Sequence, residues 1–215
     1  MCGRYKMTAG ERAYLKKFGF LNPEEYFDIH GFSKKPEIFP GQQITAGNKD
    51  HRLEDIRWTI EDLDSYGRWQ RAINARAETI MKVPMFREAF RQDRILIPAT
   101  GIFEWQIQPD GTKKKYELSF DEPLFAFAGI ARDCTVKGET CRSGVIITTV
   151  ANPVFREIHN SKFRQPVIIR EEDYEQWLDP KTPLNDLIKI MRPIAAEQTR
   201  FKLADEIEAI TQAES

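Results

Sequence analysis

The sequence predicts an α+β protein, a single domain with a mostly antiparallel, barrel-like β core and helices at its periphery. Three observations predict it. From residue 94 to residue 169, β-branched and apolar runs follow one another, separated by turn signals such as Pro109-Asp110-Gly111. Outside them lie short stretches with helical spacing, Met85, Phe86, Ala89 and Phe90 among them. No repeat, low-complexity tract or linker divides the 215 residues, so residues 1–215 are read as one domain.

In chain order, Cys2 to Met7 reads as a short strand with Tyr5 and Met7 on one face. Thr8-Ala9-Gly10-Glu11 has the form of a capping box, in which the Thr8 hydroxyl takes the N3 amide and Glu11 reaches back. It opens a helix whose apolar stripe is Ala13, Tyr14, Leu15 and Phe18 and which Gly19 ends. Asn22-Pro23 starts a further helical turn with proline at its first position. Pro36 to Gly41 reads as irregular, and Phe39-Pro40-Gly41-Gln42 as a turn that presents Pro40 to solvent. Leu53 to Ile60 is a strand, and polar Glu61 to Gln70 a loop. The core strands are Arg94–Ala99, Ile102–Ile107, Lys115–Phe120, Leu124–Ala131, Gly144–Val150 and Val167–Ile169. Asn152-Pro153 caps a short helix, Val154 to Ile158, that ends at His159. Three carboxylates, Glu171-Glu172-Asp173, favour a helix start and lead a helix through Trp177. Leu184–Met191 and Leu203–Ile210 read as two more helices.

Composition removes several classes of function. Hydrophobic residues make up 41% and aromatics 11%, enough for a sizeable core. No apolar run approaches the roughly 18 residues of a membrane span, and no apolar stretch follows the N-terminus as in a secretory signal. The expected location is the cytoplasm, associated with the nucleoid in a bacterium, where the three cysteines stay reduced. Cys134 and Cys141 are spaced to bridge a hairpin, but there is no CxxC pair and only three histidines, His30, His51 and His159. No zinc site, other metal or cofactor is expected. The net charge of −1 does not advertise a nucleic-acid partner, but its distribution does more. Residues 68–94 hold seven basic against three acidic side chains, +4, whereas residues 170–215 hold six against eleven, −5.

Four residues offer chemistry. Cys2 follows the initiator methionine, so removal of Met1 would leave an α-amine and a thiol on adjacent carbons. Such a 1,2-aminothiol condenses with an aldehyde to an imine, and the thiol then closes a five-membered thiazolidine. Both groups titrate within reach of neutral pH. Glu104, between Phe103 and Trp105, suits general acid–base work if it faces inward and is an ordinary strand glutamate if it faces outward. His159 stands where a capped helix ends, a setting for a cleft histidine or a structural one. Asn74 lies in Ile73-Asn74-Ala75-Arg76, where alternation turns Arg76 to the same side; the same rule sets Arg4 near Cys2.

In their order, Met1-Cys2-Gly3-Arg4-Tyr5, Ile73-Asn74-Ala75-Arg76-Ala77-Glu78-Thr79, Ile97-Pro98-Ala99-Thr100-Gly101-Ile102-Phe103-Glu104-Trp105, Ala151-Asn152-Pro153 and Ile158-His159-Asn160-Ser161-Lys162 with Pro166-Val167-Ile168 resemble the SRAP family. These are the SOS-response-associated peptidases, or abasic-site shielding proteins, and the resemblance spans roughly residues 1–180. It implies that Met1 is removed, by an autopeptidase activity, and that Cys2 then forms a thiazolidine crosslink with the ring-opened aldehyde of an abasic site in single-stranded DNA. By matching position, Asn74 orients the Cys2 amine, Glu104 shuttles protons and His159 assists opening of the deoxyribose. Arg4, Arg76 and Arg164 hold phosphates, and Pro40 and Met85 wedge against bases. No metal or cofactor is implied, and the protein is expected to act as a monomer. The sequence departs from the family at Trp58-Thr59, where Trp-Gly is usual, and at Gln165, where methionine is usual. The same four residues also suit an alternative, an N-terminal-nucleophile cysteine peptidase or amidohydrolase acting on peptides.

Overall fold

The computed structural model describes residues 2–32, 34–63, 66–136 and 139–204. Among the described residues, fifteen strands and six α-helices follow in the order β1 (Tyr5–Met7), α1 (Glu11–Phe18), α2 (Pro23–His30), β2 (Lys35–Ile38), β3 (Gln43–Gly47), β4 (Leu53–Trp58), β5 (Ile60–Leu63), β6 (Trp69–Ala72), β7 (Asn74–Arg76), α3 (Pro84–Gln92), β8 (Arg94–Ala99), β9 (Gly101–Ile107), β10 (Lys113–Phe120), β11 (Phe125–Val136), β12 (Glu139–Val150), α4 (Pro153–Ile158), β13 (Arg164–Pro166), β14 (Ile168–Ile169), α5 (Tyr174–Leu178), α6 (Leu184–Ile190) and β15 (Thr199–Leu203). The α+β reading holds. Strands β12, β4, β3, β8 and β11 pair in that order, and β11 pairs back with β12, which closes a five-stranded barrel. All of these contacts are antiparallel except β12 with β4. A second, antiparallel sheet runs β15-β10-β9-β1-β2.

The barrel is tight where strands cross. A Cβ at Gly144 would lie 2.9 Å from the Ile130 carbonyl oxygen, so only glycine lets β12 approach β11 there. Tyr5 joins the two sheets, with its ring edge-on to Trp58 at 5.2 Å and to Phe127 at 5.4 Å. Each such pair adds about 0.5–1.5 kcal/mol beyond the area it buries. The strand that carries the N-terminus is thereby anchored to the barrel wall.

Several local expectations change. Thr8 caps no helix: its hydroxyl and amide both meet the Thr100 hydroxyl, at 3.1 and 3.0 Å, and α1 starts at Glu11 with Gly10 as an unassisted cap. Ala13 is exposed, and Tyr14 and Phe18 alone form the buried stripe of α1. Residues 35–38 are a strand, not irregular. Glu61 to Gln70 is no loop: it contains the pairing ends of the β5–β6 hairpin. Leu203 ends strand β15, and residues 205–210 of the expected last helix lie outside the described residues. Cys134 and Cys141 are register partners across β11 and β12, yet both are free thiols. No helix among the described residues is long and apolar enough to cross a membrane.

Arg94 shows where part of the central basic charge goes. It is 1% exposed, and its guanidinium donates to the carbonyls of Phe90, Arg91, Trp177 and Asp179. Those oxygens are the orphan acceptors at the C-terminal ends of α3 and α5, so one cation caps two helices.

Candidate active site

The site begins with a strand pairing. β1 runs antiparallel to β9, with Tyr5 opposite Ile102, and Phe103 N–H donates to the Arg4 carbonyl at 3.0 Å. This register carries the N-terminal residues alongside Glu104. Residues Gly101 to Glu104 are all buried, so Glu104 faces inward at 3% exposure.

Burial decides the chemistry of the two groups. Desolvation raises the Glu104 carboxyl to about 8, so it is mostly protonated at neutral pH yet readily gives its proton up. Its Oε1 has no hydrogen-bond partner. Cys2 is 1% exposed, and its thiol is pushed far up, first by burial and then by the field of Glu104. The field of Glu104 on Cys2 agrees with the β1–β9 register, which runs the N-terminal residues alongside Glu104.

His159 completes this group. It follows α4, whose first turn is capped by the Asn152 side chain accepting from Phe155 N–H at 2.9 Å. His159 Nδ1 lies 3.0 Å from the Arg164 carbonyl, which can only accept, so Nδ1 carries the hydrogen. Glu104 Oε1 is 3.9 Å from the same nitrogen, beyond a direct hydrogen bond. Burial lowers the imidazole pKa, which leaves the ring neutral at pH 7. Asn160 fixes the distance between the two elements. Its side chain accepts from Ile107 N–H at 3.0 Å and donates to the Ile107 carbonyl at 2.9 Å, like one more residue of the sheet. The histidine loop is thus tied to the strand that carries Glu104.

Asn74 comes from the barrel side. β7 lies parallel to β12, with Asn74 opposite Ile146. The Asn74 amide nitrogen is 3.5 Å from the Ile146 carbonyl, and its buried Oδ1 has no partner. The Trp58-Thr59 step that departs from the family pattern holds the entry to β7. The Trp58 indole donates to the Ile73 carbonyl at 2.9 Å, and the Thr59 hydroxyl to the Ala72 carbonyl at 3.2 Å. Trp58 also abuts Tyr5, so it links Asn74 to the strand that follows Cys2.

The residues assigned to DNA divide into three settings. A groove of about 950 Å³ is lined by Asn74, Arg76, Met85, Arg71, Leu63 and others. Arg76 is exposed there and makes no ion pair with a described residue. Pro40 occupies a turn closed by Gln42 N–H on the Phe39 carbonyl at 3.2 Å, with Gly41 at φ 91°. The turn borders the groove, since a Cβ at Gly41 would stand 3.5 Å from the Arg71 Nη2. Arg4 is half-buried and donates to Glu37 at 2.9 Å. Arg164 is turned inward: it is 9% exposed, bonds Glu78 through both nitrogens at 2.8 Å and the Thr148 carbonyl at 2.7 Å. Its guanidinium braces β12 and β13 against the segment after β7. Arg164→Ala is expected to lower the unfolding free energy by about 2–3 kcal/mol, read from urea denaturation.

Sequence reasoning missed Asn160 as a tether, and it missed Glu37 and Lys115 beside Arg4. Asn160 stood within a quoted motif, but its partner is 53 residues away.

The family model for SOS response associated peptidase (SRAP) matches residues 1–208. The chain belongs to the SRAP family. Among SRAP relatives, the Bacillus subtilis abasic site processing protein YoqW is 29% identical over 209 residues, 92% of this chain and 89% of that protein. The Escherichia coli abasic site processing protein YedK is 25% identical over 188 residues, 83% of this chain and 79% of its own. The SRAP fold is matched by a crystal structure of a Bacteroides thetaiotaomicron protein with a TM-score of 0.83 and 24% identity, covering 96% of this chain and 94% of that one.

Proposed function

We propose that this chain senses abasic sites and captures them covalently. Once Met1 is gone, the Cys2 amine attacks the C1′ aldehyde of a ring-opened abasic site in single-stranded DNA. Water leaves and an imine forms. The Cys2 thiol then adds across the C=N bond, its proton passes to nitrogen, and a thiazolidine results with net loss of one water. Lysine imines at such sites lead on to strand cleavage by β-elimination, which ring closure prevents. The names of the curated relatives as abasic site processing proteins support this reading.

The observation that carries it is the buried carboxyl of Glu104 beside Cys2. At about 8 its pKa suits both proton donation to the departing hydroxyl and proton acceptance from the thiol. Neutral His159 is the base assigned to opening the sugar hemiacetal. Two buried oxygens, Glu104 Oε1 and Asn74 Oδ1, lack donors. A freed Cys2 amine is the donor that this chemistry would bring to them. Arg4 and Arg76 are assigned to phosphates, Pro40 and Met85 to the bases, and Arg164 to a bracing role. The same site is assigned the removal of Met1, without which the Cys2 nitrogen is an amide and inert to aldehydes. We read the chain as one domain acting as a monomer. The same residues also suit a peptidase acting on other peptides, but the names of the relatives point to abasic sites.

The test is a denaturing gel and an intact mass on untagged protein mixed with a single-stranded oligonucleotide carrying one abasic site. The expected product is a heat-stable adduct on protein lacking Met1, absent with intact DNA. Protein with Met1 removed that gives no adduct would overturn the proposal.

A further inference from the structure

Arg4 does not face the site alone. Its Nη1 donates to Glu37 Oε1 at 2.9 Å, while Lys115 Nζ stands 3.2 Å from that oxygen and 3.3 Å from Oε2. Glu37 comes from β2 and Lys115 from β10, two strands on opposite sides of the β1–β9 pair. Aromatic rings hold both cations in place. The Arg4 guanidinium lies 3.8 Å from the Phe39 ring centre, and the Lys115 ammonium 4.4 Å from that of Phe103. All three charged side chains are partly exposed, at 32%, 26% and 22% for Arg4, Glu37 and Lys115. Desolvation works against the charge of Glu37, but the bonds from Arg4 and Lys115 win and hold its carboxyl below the usual range.

We propose that Arg4 and Lys115 form a phosphate site that Glu37 fills as an internal anion in the free protein, so that Glu37 limits how tightly undamaged strands bind. This rests on the DNA-binding reading above. A carboxylate offers a guanidinium and an ammonium the same acceptor geometry as two phosphate oxygens. An arriving strand must therefore displace Glu37 or share its cations against its negative charge. Weak binding to intact DNA suits a protein whose retention at damage comes from a covalent bond. Arg76 is exposed in the groove, where Glu78 is near enough for their charges to interact, and it supplies a further cation for the strand.

The experiment is fluorescence anisotropy with an undamaged single-stranded oligonucleotide at several salt concentrations, with thermal melts to confirm folding. Glu37→Gln is expected to tighten binding by about 3- to 10-fold. Its plot of log affinity against log salt should steepen by about 0.7, one more phosphate contact on a single strand. Lys115→Gln should weaken binding and make that slope shallower, and Glu37→Asp, which keeps the charge, should stay within about twofold of the parent. Parent protein that crosslinks an abasic oligonucleotide while Glu37→Gln binds no tighter would overturn the proposal and leave the function standing; Glu37 would then be an aligner of Arg4. Equal tightening by Glu37→Asp would also overturn it. Should Glu37→Gln fail to fold, an unchanged salt slope in Lys115→Gln decides against it. A parent that neither binds strands nor crosslinks removes the function and the proposal together.

Discussion

Cys2→Ala is expected to abolish the denaturation-stable adduct with an abasic oligonucleotide under conditions in which the parent forms it. The variant still offers an α-amine once Met1 is removed, so an imine can form. It lacks the second nucleophile, and an imine in water reverts or goes on to cut the strand. Borohydride added during the reaction reduces the imine to a secondary amine and should restore an adduct to the variant. That pair of results separates loss of the thiol from loss of the fold, because only a folded site brings the amine to the aldehyde efficiently. Equal adduct yields from Cys2→Ala and the parent, without borohydride, would remove the thiazolidine from the mechanism.

Glu104→Gln is expected to slow adduct formation by about 10²–10⁴-fold, the usual contribution of a positioned proton carrier. The same change should stabilise the protein at alkaline pH. The Glu104 carboxyl sits at about 8 in the folded chain against an ordinary value of 4.5. Its favourable contribution is therefore complete below pH 4.5 and is lost as pH rises through about 8. Each unit of that window is worth about 1.4 kcal/mol, so the parent should lose on the order of a few kcal/mol that glutamine keeps. Urea unfolding of both proteins at pH 5 and 8.5 measures it, and the difference between them cancels His159, whose depressed pKa works in the opposite direction. A parent and variant with parallel pH profiles would mean that Glu104 is not buried as an acid.

Both variants concern residues that the sequence brought forward, since the reactivity of an aminothiol and the bulk around Glu104 are local properties. Much of the fold was equally local. Pro109-Asp110-Gly111 turns the chain with Gly111 at φ 83°, and Asn152 caps α4. What escaped was set by distant partners. Pro36 argued against a strand, yet β2 is the edge of its sheet, where a proline costs no ladder bond. Thr8 had the right spacing for a capping box, but Thr100, 92 residues on, took its hydroxyl. Arg94 counted towards a basic face and is spent inside on helix ends. β11 and β12 extend well past the apolar runs that announced them, into polar stretches around Arg132 and Arg142. Glu37 and Lys115 meet only because strands from three parts of the chain lie side by side.

The pairing of β1 with β9 also sets a clock. Cys2 is among the first residues made, whereas Glu104 and His159 leave the ribosome only after about half and three quarters of the 215-residue chain. Strand β12, which closes the barrel, is likewise late. Chemistry that needs all three residues therefore waits until at least three quarters of these residues are made. During that interval a bare aminothiol would be open to any cellular aldehyde. In the proposed chemistry Met1 acylates its nitrogen, and the methionine would act as a protecting group for as long as it stays attached.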